Sequence, residues 1–271
     1  MSIDLGKIIG TAFRYAFSVN RILPYFIINL FIFVGIIILL TSAVNIIPIM
    51  MQTGTPTMMY AGQFIASVLL FIIAIVIISL VKILVDSAVA DNSRQFWAGK
   101  DRFLSSSYDI AKKKYLSVLG AVLIVGIITI LISMIPFVGW LISMILGIMF
   151  MFVIQSVIIG GKNATKSLSD SYNVFKKNVL NTLIFWILMF IIIITFFILA
   201  IIPVMIAAIP AVMAFVASGG NFMSIIPLLQ QNMNWIIIGG VIGCAILAYI
   251  EVFSQSAMSF FYISAKKKGR S

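Results

Sequence analysis

The sequence predicts an all-α integral membrane protein with six transmembrane helices, arranged as three repeats of an interfacial amphipathic helix plus a transmembrane hairpin. Three observations carry this. Of 271 residues, 63% are hydrophobic and 9% charged, with a mean hydropathy of +1.22, whereas a soluble domain carries about 25% charged residues. The Lys and Arg sit in short segments between apolar runs that are long enough to cross a bilayer. One polar segment also recurs. Ser171-Tyr172-Asn173-Val174-Phe175-Lys176-Lys177-Asn178-Val179-Leu180 has a relative in Ser107-Tyr108-Asp109-Ile110-Ala111-Lys112-Lys113-Lys114-Tyr115-Leu116, and a fainter one in the run from Phe13 through Arg14 and Arg21 to Ile22. Each copy precedes two apolar runs, so 1–271 reads as a single membrane domain. Its units are about 1–92, 93–161 and 162–264, followed by a basic tail at 265–271.

In chain order, Ile8, Ile9, Ala12, Phe13, Ala16 and Phe17 share one helical face with Lys7 and Arg14 off it, as in a helix lying in the membrane interface. Asn20, Arg21 and Pro24 mark entry into the first span at 22–47, which ends at Pro48 before the uncharged loop MQTGTPTMM. That first apolar run is too long, and lacks the small-residue site, for a cleavable signal peptide. A second span covers 61–85. Residues 86–114 then read as a charged connector, with Trp97 and Phe103 as headgroup anchors. Spans three and four, at 115–135 and up to Gly160, flank a tight turn at Pro136-Phe137-Val138-Gly139-Trp140. The fifth runs over 179–202 and stops at Pro203. Residues 204–217, interrupted by Pro210, are too short for another crossing and read as an outer cap or a re-entrant segment with the uncharged loop that follows. The sixth span covers 235–262.

The three outer loops contain no Lys or Arg, so the positive-inside rule places both termini in the cytoplasm. Lys outnumbers Arg 13 to 5 and isoleucine is abundant, which points to a prokaryotic plasma membrane. The net charge of +11 lies beside spans, where it reads as a topology signal and as contacts to anionic headgroups, not as a nucleic-acid surface.

The even-numbered spans share a polar signature: Asp86-Ser87-Ala88, Gln155-Ser156-Val157 and Gln255-Ser256-Ala257. Four residues earlier stand Lys82, Met151 and Glu251, on the same helical faces. Glu251 lies 15 residues before Lys266, about 22 Å along a helix, so its carboxylate is deep in the bilayer and has to face the bundle interior. Two readings fit this intramembrane cluster of Lys82, Asp86, Gln155, Glu251 and Gln255. One is a proton- or ion-coupled site; the other is a Lys82 to Glu251 tie with interhelical amide hydrogen bonds. Gly239 and Gly243 form a GxxxG, read either as close packing within the molecule or as a homodimer contact. The basic clusters Lys112, Lys113, Lys114, Lys176, Lys177, Lys266, Lys267 and Lys268 are candidate headgroup-binding residues. Tyr108 and Tyr172 read as interfacial anchors or as contacts to a headgroup or substrate, and the single cysteine, Cys244, reads as a small apolar filler against a reactive thiol.

The run VIIGGKNATKSLSDSYNVFKKN resembles the connector of a broad group of six-span proteins that includes the membrane domain of some glycerophosphodiester phosphodiesterases. There a span ends, a short helix of the form A-L-x-x-S-aromatic follows, and a basic or polar residue opens the next span. Ser167, Leu168, Ser171 and Tyr172 match, followed by Lys176, Lys177 and Asn178. The acidic residue that often precedes the connector has no counterpart near Ile159. The resemblance implies a six-span membrane architecture. The metal-binding acids and histidines of the phosphodiesterase domain are missing from this sequence, so that activity is not implied.

With no histidine, one cysteine and no phosphate-cradling glycine loop, neither a His-based or Cys-His catalytic arrangement nor a metal or cofactor site is expected, and no enzyme activity. A non-catalytic membrane scaffold or lipid-interacting component fits best, partnered by the bilayer and, beyond it, by a membrane complex or a second copy. The alternative is a proton-coupled or lipid-type transporter using Glu251 in the bundle interior.

Overall fold

The computed structural model describes residues 3–53, 58–220, 227–228 and 231–268. It is all-helical, 88% helix with no strand among the described residues, and six of its helices are long and apolar enough to cross a membrane. In chain order the described elements are α1 (Leu5–Ala16), α2 (Val19–Thr53), α3 (Met58–Trp97), a 3-10 turn (Leu104–Ser107), α4 (Tyr108–Ser133), α5 (Gly139–Met149), α6 (Val153–Ile158), α7 (Ala164–Lys177), α8 (Val179–Ala217) and α9 (Met233–Lys268). Ile65, Leu70, Ile73 and Val76 of α3 and Phe190, Ile191, Phe197 and Ile198 of α8 lie exposed. An apolar surface of this extent belongs in hydrocarbon, not in water.

Several boundaries differ from the sequence pattern, each for a physical reason. The first span does not stop at Pro48, nor the fifth at Pro203: Pro48 lies inside α2, and Pro203 and Pro210 lie inside the single helix α8. The segment at 204–217 is therefore the continuation of a span, not a cap or re-entrant piece. A proline removes one backbone hydrogen bond, but ending the helix in apolar surroundings would leave several groups unpaired. Much of the uncharged loop at 51–59, and of the one after Gly220, lies outside the described residues, as do 269–271 of the basic tail and the side chain of Lys268.

Residues 86–97 are not a solvated connector. They extend α3, and Asp86, Ser87, Asp91, Asn92 and Ser93 are buried. The predicted interfacial helix at 107–116 does not exist as a separate element either, because Tyr108 starts α4 and the helix runs unbroken to Ser133. Separate short helices occur only at the first and third copies, as α1 and α7. The difference lies in the residue after the lysines. Asn178 ends α7, its side chain hydrogen-bonding the Val174 carbonyl at 3.1 Å, whereas Lys114 at the equivalent position is a good helix former and lets α4 continue. The helix-plus-hairpin unit is thus not present in three equal copies.

The fourth span is broken between α5 and α6, and Ser171 of α7 closes the gap. Its hydroxyl accepts the Phe152 N–H at 3.2 Å and donates to the Met149 carbonyl at 2.9 Å. Six residues are too few for a self-supporting helix. The carbonyls at the end of α6, Val157 and Ile158, are capped by the Lys114 ammonium at 3.0 Å each.

The chain forms two compact units. Unit 1 comprises Met1–Tyr25, Leu80–Ile194 and Tyr249–Ser271; unit 2 comprises Phe26–Ser79 and Thr195–Ala248. Every Lys, Arg, Asp and Glu of the sequence falls in unit 1.

In unit 1, α4 packs on α5, α6 and α7. Val118 and Ala121 of α4, Val153, Val157 and Ile158 of α6 and Ala90 of α3 form one buried cluster. The second half of α9 is the central pillar, with Val252, Phe253, Ala257, Phe260, Phe261 and Tyr262 all buried. Phe261 stacks on Phe152 and Phe185, Phe260 on Trp97, and Phe253 meets Phe13 of α1.

Unit 2 holds no charged residue. There α9 lies against α8 through bare glycine: a Cβ on Gly239 would fall 2.8 Å from the Pro203 carbonyl carbon, and one on Gly243 would fall 2.7 Å from the Ala200 oxygen. Gly35 and Gly240 face the rings of Phe71 and Phe33 in the same way.

Candidate functional site

The polar groups of unit 1 collect into three nodes. The first contains the residues that the sequence singles out within the spans. Lys82 and Glu251, on α3 and α9, meet at 3.0 Å, with side chains 34% and 26% exposed. Asp86, one turn on from Lys82, lies 3.6 Å from the same ammonium. Tyr25 of α2 completes the node, donating its hydroxyl to Asp86 at 2.5 Å and placing its ring 4.7 Å below the Lys82 nitrogen. One cation thus serves two carboxylates. Gln155 and Gln255 also come together, the buried Gln155 amide donating to the Gln255 carbonyl oxygen at 3.2 Å. The three serines of the shared signature, Ser87, Ser156 and Ser256, are all buried.

The second node surrounds Asp170. Asparagine at the start of α7 caps it, Asn163 accepting the Lys166 N–H at 3.0 Å. The buried face of this helix is mostly polar: Ser167, Asp170 and Ser171 recur at helical spacing, with Val174 one turn on. Asp170 accepts from Ser156 at 2.8 Å and Tyr262 at 2.6 Å, and pairs with Lys266. Burial alone would raise its carboxyl, but hydrogen bonds from Lys266, Tyr262 and Ser156 outweigh burial and hold it below the usual carboxylate range.

The sign of its pH dependence follows. A depressed folded-state pKa contributes stability above the unfolded value of about 3.9, and that contribution is lost as pH falls through the folded value. The gap in thermal midpoint between the wild type and Asp170→Asn is expected to be constant near neutrality and to shrink below about pH 4. A gap unchanged down to pH 2 would count against the node.

The third node was not legible as a site. Arg21, 4% exposed at its side chain, pairs with Asp101, donates to the Tyr15 carbonyl at 2.8 Å and to Asn92 at 3.3 Å, and stacks 4.0 Å over the Tyr15 ring. Asn92 also accepts the Tyr15 hydroxyl at 2.8 Å and donates to the Arg102 carbonyl at 3.1 Å. Burial holds the Tyr15 phenol well above its ordinary pKa, so it stays a donor. Beside it, Asp91 accepts from Arg94, Gln95 and Ser107 at 2.6, 2.7 and 2.9 Å. The signal available was the absence of any Gly or Pro between Gly62 and Gly99, which lets α3 carry this polar stretch inward.

The candidate headgroup residues divide. Lys112, Lys113, Lys176, Lys177 and Lys267 are exposed. Lys114 and Lys266 are not free for headgroups in this way: the first caps α6 and the second pairs with Asp170. Lys268 lies at the end of α9, its side chain outside the described residues. Gly239 and Gly243 serve contact between α8 and α9 of one molecule. Cys244 is buried beside them in sequence. Tyr172 is 38% exposed.

Fold and nodes together define a helical protein of the multi-pass membrane class, with six candidate spans. Comparison with protein-family models, curated sequences and solved structures finds no match to this chain.

Proposed function

We propose that the protein is a non-catalytic, multi-pass component of a plasma membrane that gathers anionic lipid headgroups at its basic, cytoplasmic end. The observation that carries this reading is an internal settlement of negative charge. Five of the seven carboxylates, Asp86, Asp91, Asp101, Asp170 and Glu251, are held in ion pairs with cations of the same chain. The exposed lysines Lys112, Lys113, Lys176 and Lys177 are left as a surplus. Each such cation near an anionic surface is worth about 1 kcal/mol. Both termini belong on that side by the positive-inside rule. The likeness of the 157–178 segment to connectors of six-span membrane domains supports the architecture and carries no activity. The Lys82 contact supports reading Glu251 as a tie between α3 and α9 instead of as a proton carrier.

In nanodiscs of mixed phosphatidylglycerol and phosphatidylcholine, the wild type is expected to retain phosphatidylglycerol in excess of its bulk share. Replacing Lys112, Lys113, Lys176 and Lys177 together by Gln should remove most of that excess, read by mass spectrometry of the retained lipid. Equal retention by both proteins would sink the reading.

A further inference from the structure

A cleft of about 300 Å³ opens in unit 1 between the residues that follow α6 and the last turns of α9. Lys162, Lys266 and Lys267 line it with Tyr262, and Ile159 and Ile263 add apolar walls. Lys162 and Lys267 are exposed and enter none of the ion pairs among the described residues. Lys266 is oriented by Asp170, whose carboxylate is itself taken up by Ser156, Tyr262 and Lys266. Three lysines against one enclosed carboxylate leave a surplus of two positive charges (3 − 1 = 2) at the cleft.

The base of the cleft is tightly packed: a Cβ on Gly160 would fall 2.3 Å from the Tyr262 hydroxyl and 2.6 Å from the Ser156 backbone carbonyl oxygen, so glycine lets this segment close against Tyr262. The carbonyl end of α6, whose partial negative charge would oppose an anion, is already capped by Lys114. The exposed ammonium groups of Lys162 and Lys267 on the lining offer donors to a phosphate's several acceptor oxygens. The isoleucine walls match the glycerol and first acyl carbons that a lipid phosphate carries and a free phosphate lacks.

The geometry points to this cleft as a binding site for the phosphate of an anionic lipid headgroup. The inference rests on the headgroup-gathering function proposed above and narrows it to one defined site, with Lys162 as a ligand that the sequence pattern did not single out.

The test is native mass spectrometry of the delipidated full-length protein titrated with dioleoyl phosphatidylglycerol, dioleoyl phosphatidylcholine or inorganic phosphate. The wild type is expected to hold one phosphatidylglycerol tightly. Lys162→Gln/Lys267→Gln, which removes two exposed cations and no internal tie, should weaken that complex about tenfold or more and leave phosphatidylcholine adducts unchanged. Lys112→Gln/Lys113→Gln/Lys176→Gln/Lys177→Gln should keep the tight complex.

An unchanged complex in the Lys162/Lys267 variant would overturn the site while leaving the nanodisc result standing. Loss of the tight complex only in that variant, with no change in nanodisc retention by the four-lysine variant, would support the site and fail the wider function. Displacement of the bound lipid by inorganic phosphate would reassign the cleft to free phosphate and overturn the lipid assignment.

Discussion

Lys82→Met is expected to lower stability in detergent by about 3–5 kcal/mol, the usual cost of removing one partner from a buried ion pair. The same ammonium serves Glu251 at 3.0 Å and Asp86 at 3.6 Å. Without it two carboxylates share one apolar region and have to take up protons or water. The partial exposure of both side chains, 34% and 26%, lets water moderate the loss. Adding Glu251→Gln to Lys82→Met should recover part of the stability, since one negative charge is then gone. Glu251→Gln alone should cost less than Lys82→Met, because Lys82 keeps Asp86. Equilibrium unfolding of the four proteins reads all of this as a double-mutant cycle. A Lys82→Met protein as stable as the wild type would mean that the node is ornamental.

Gly239→Leu is the second large effect, and it acts on unit 2, where no charge is involved. A single Cβ at this position already meets the Pro203 backbone at 2.8 Å. Backbone has no rotamer with which to yield, so α9 has to move away from α8 along its length. One extra methylene in a packed interior costs about 1–3 kcal/mol; a whole isobutyl group is expected to exceed that and to depress the yield of folded protein. Gly62→Leu, at a position with nothing within 4 Å, is the matched control and should be nearly neutral. If the two glycines instead served a contact between copies, Gly239→Leu would abolish a dimer on size exclusion while leaving the monomer as stable as before.

Much of the architecture was legible because bilayer length and apolar composition leave few alternatives. The tight turn at 136–138 was also legible. Phe137 there takes a positive φ of 64° with its ring out, at a place where the two apolar runs are too close for anything but a hairpin. The contact of Lys82 with Glu251 was readable from spacing, since each precedes a similar polar signature by four residues. Helix ends were read poorly. Pro48, Pro203 and Pro210 are stop signals in water, where freed backbone groups find solvent, but they are tolerated in apolar surroundings where stopping costs more. The charged run from Asp86 to Trp97 misled in the opposite direction. Charge density reads as solvent exposure unless each group has a partner; helical spacing connects Asp91 to Arg94 and Gln95, but no spacing rule connects it to Ser107, or Asn92 to Arg102 and Tyr15. Asp170 was overlooked in the same way, as one acid among lysines whose decisive partners, Ser156, Tyr262 and Lys266, come from two other elements.

The most direct test of a six-span chain with its charges on one membrane face is side-specific labelling. On a Cys244→Ala background, single Lys112→Cys, Lys162→Cys and Ser218→Cys proteins in intact cells would be exposed to a membrane-impermeant maleimide, before and after permeabilisation. Ser218→Cys, beyond the end of α8, is expected to label at once, and Lys112→Cys and Lys162→Cys only after permeabilisation. Immediate labelling of Lys112→Cys or Lys162→Cys, or protection of Ser218→Cys, would contradict the arrangement.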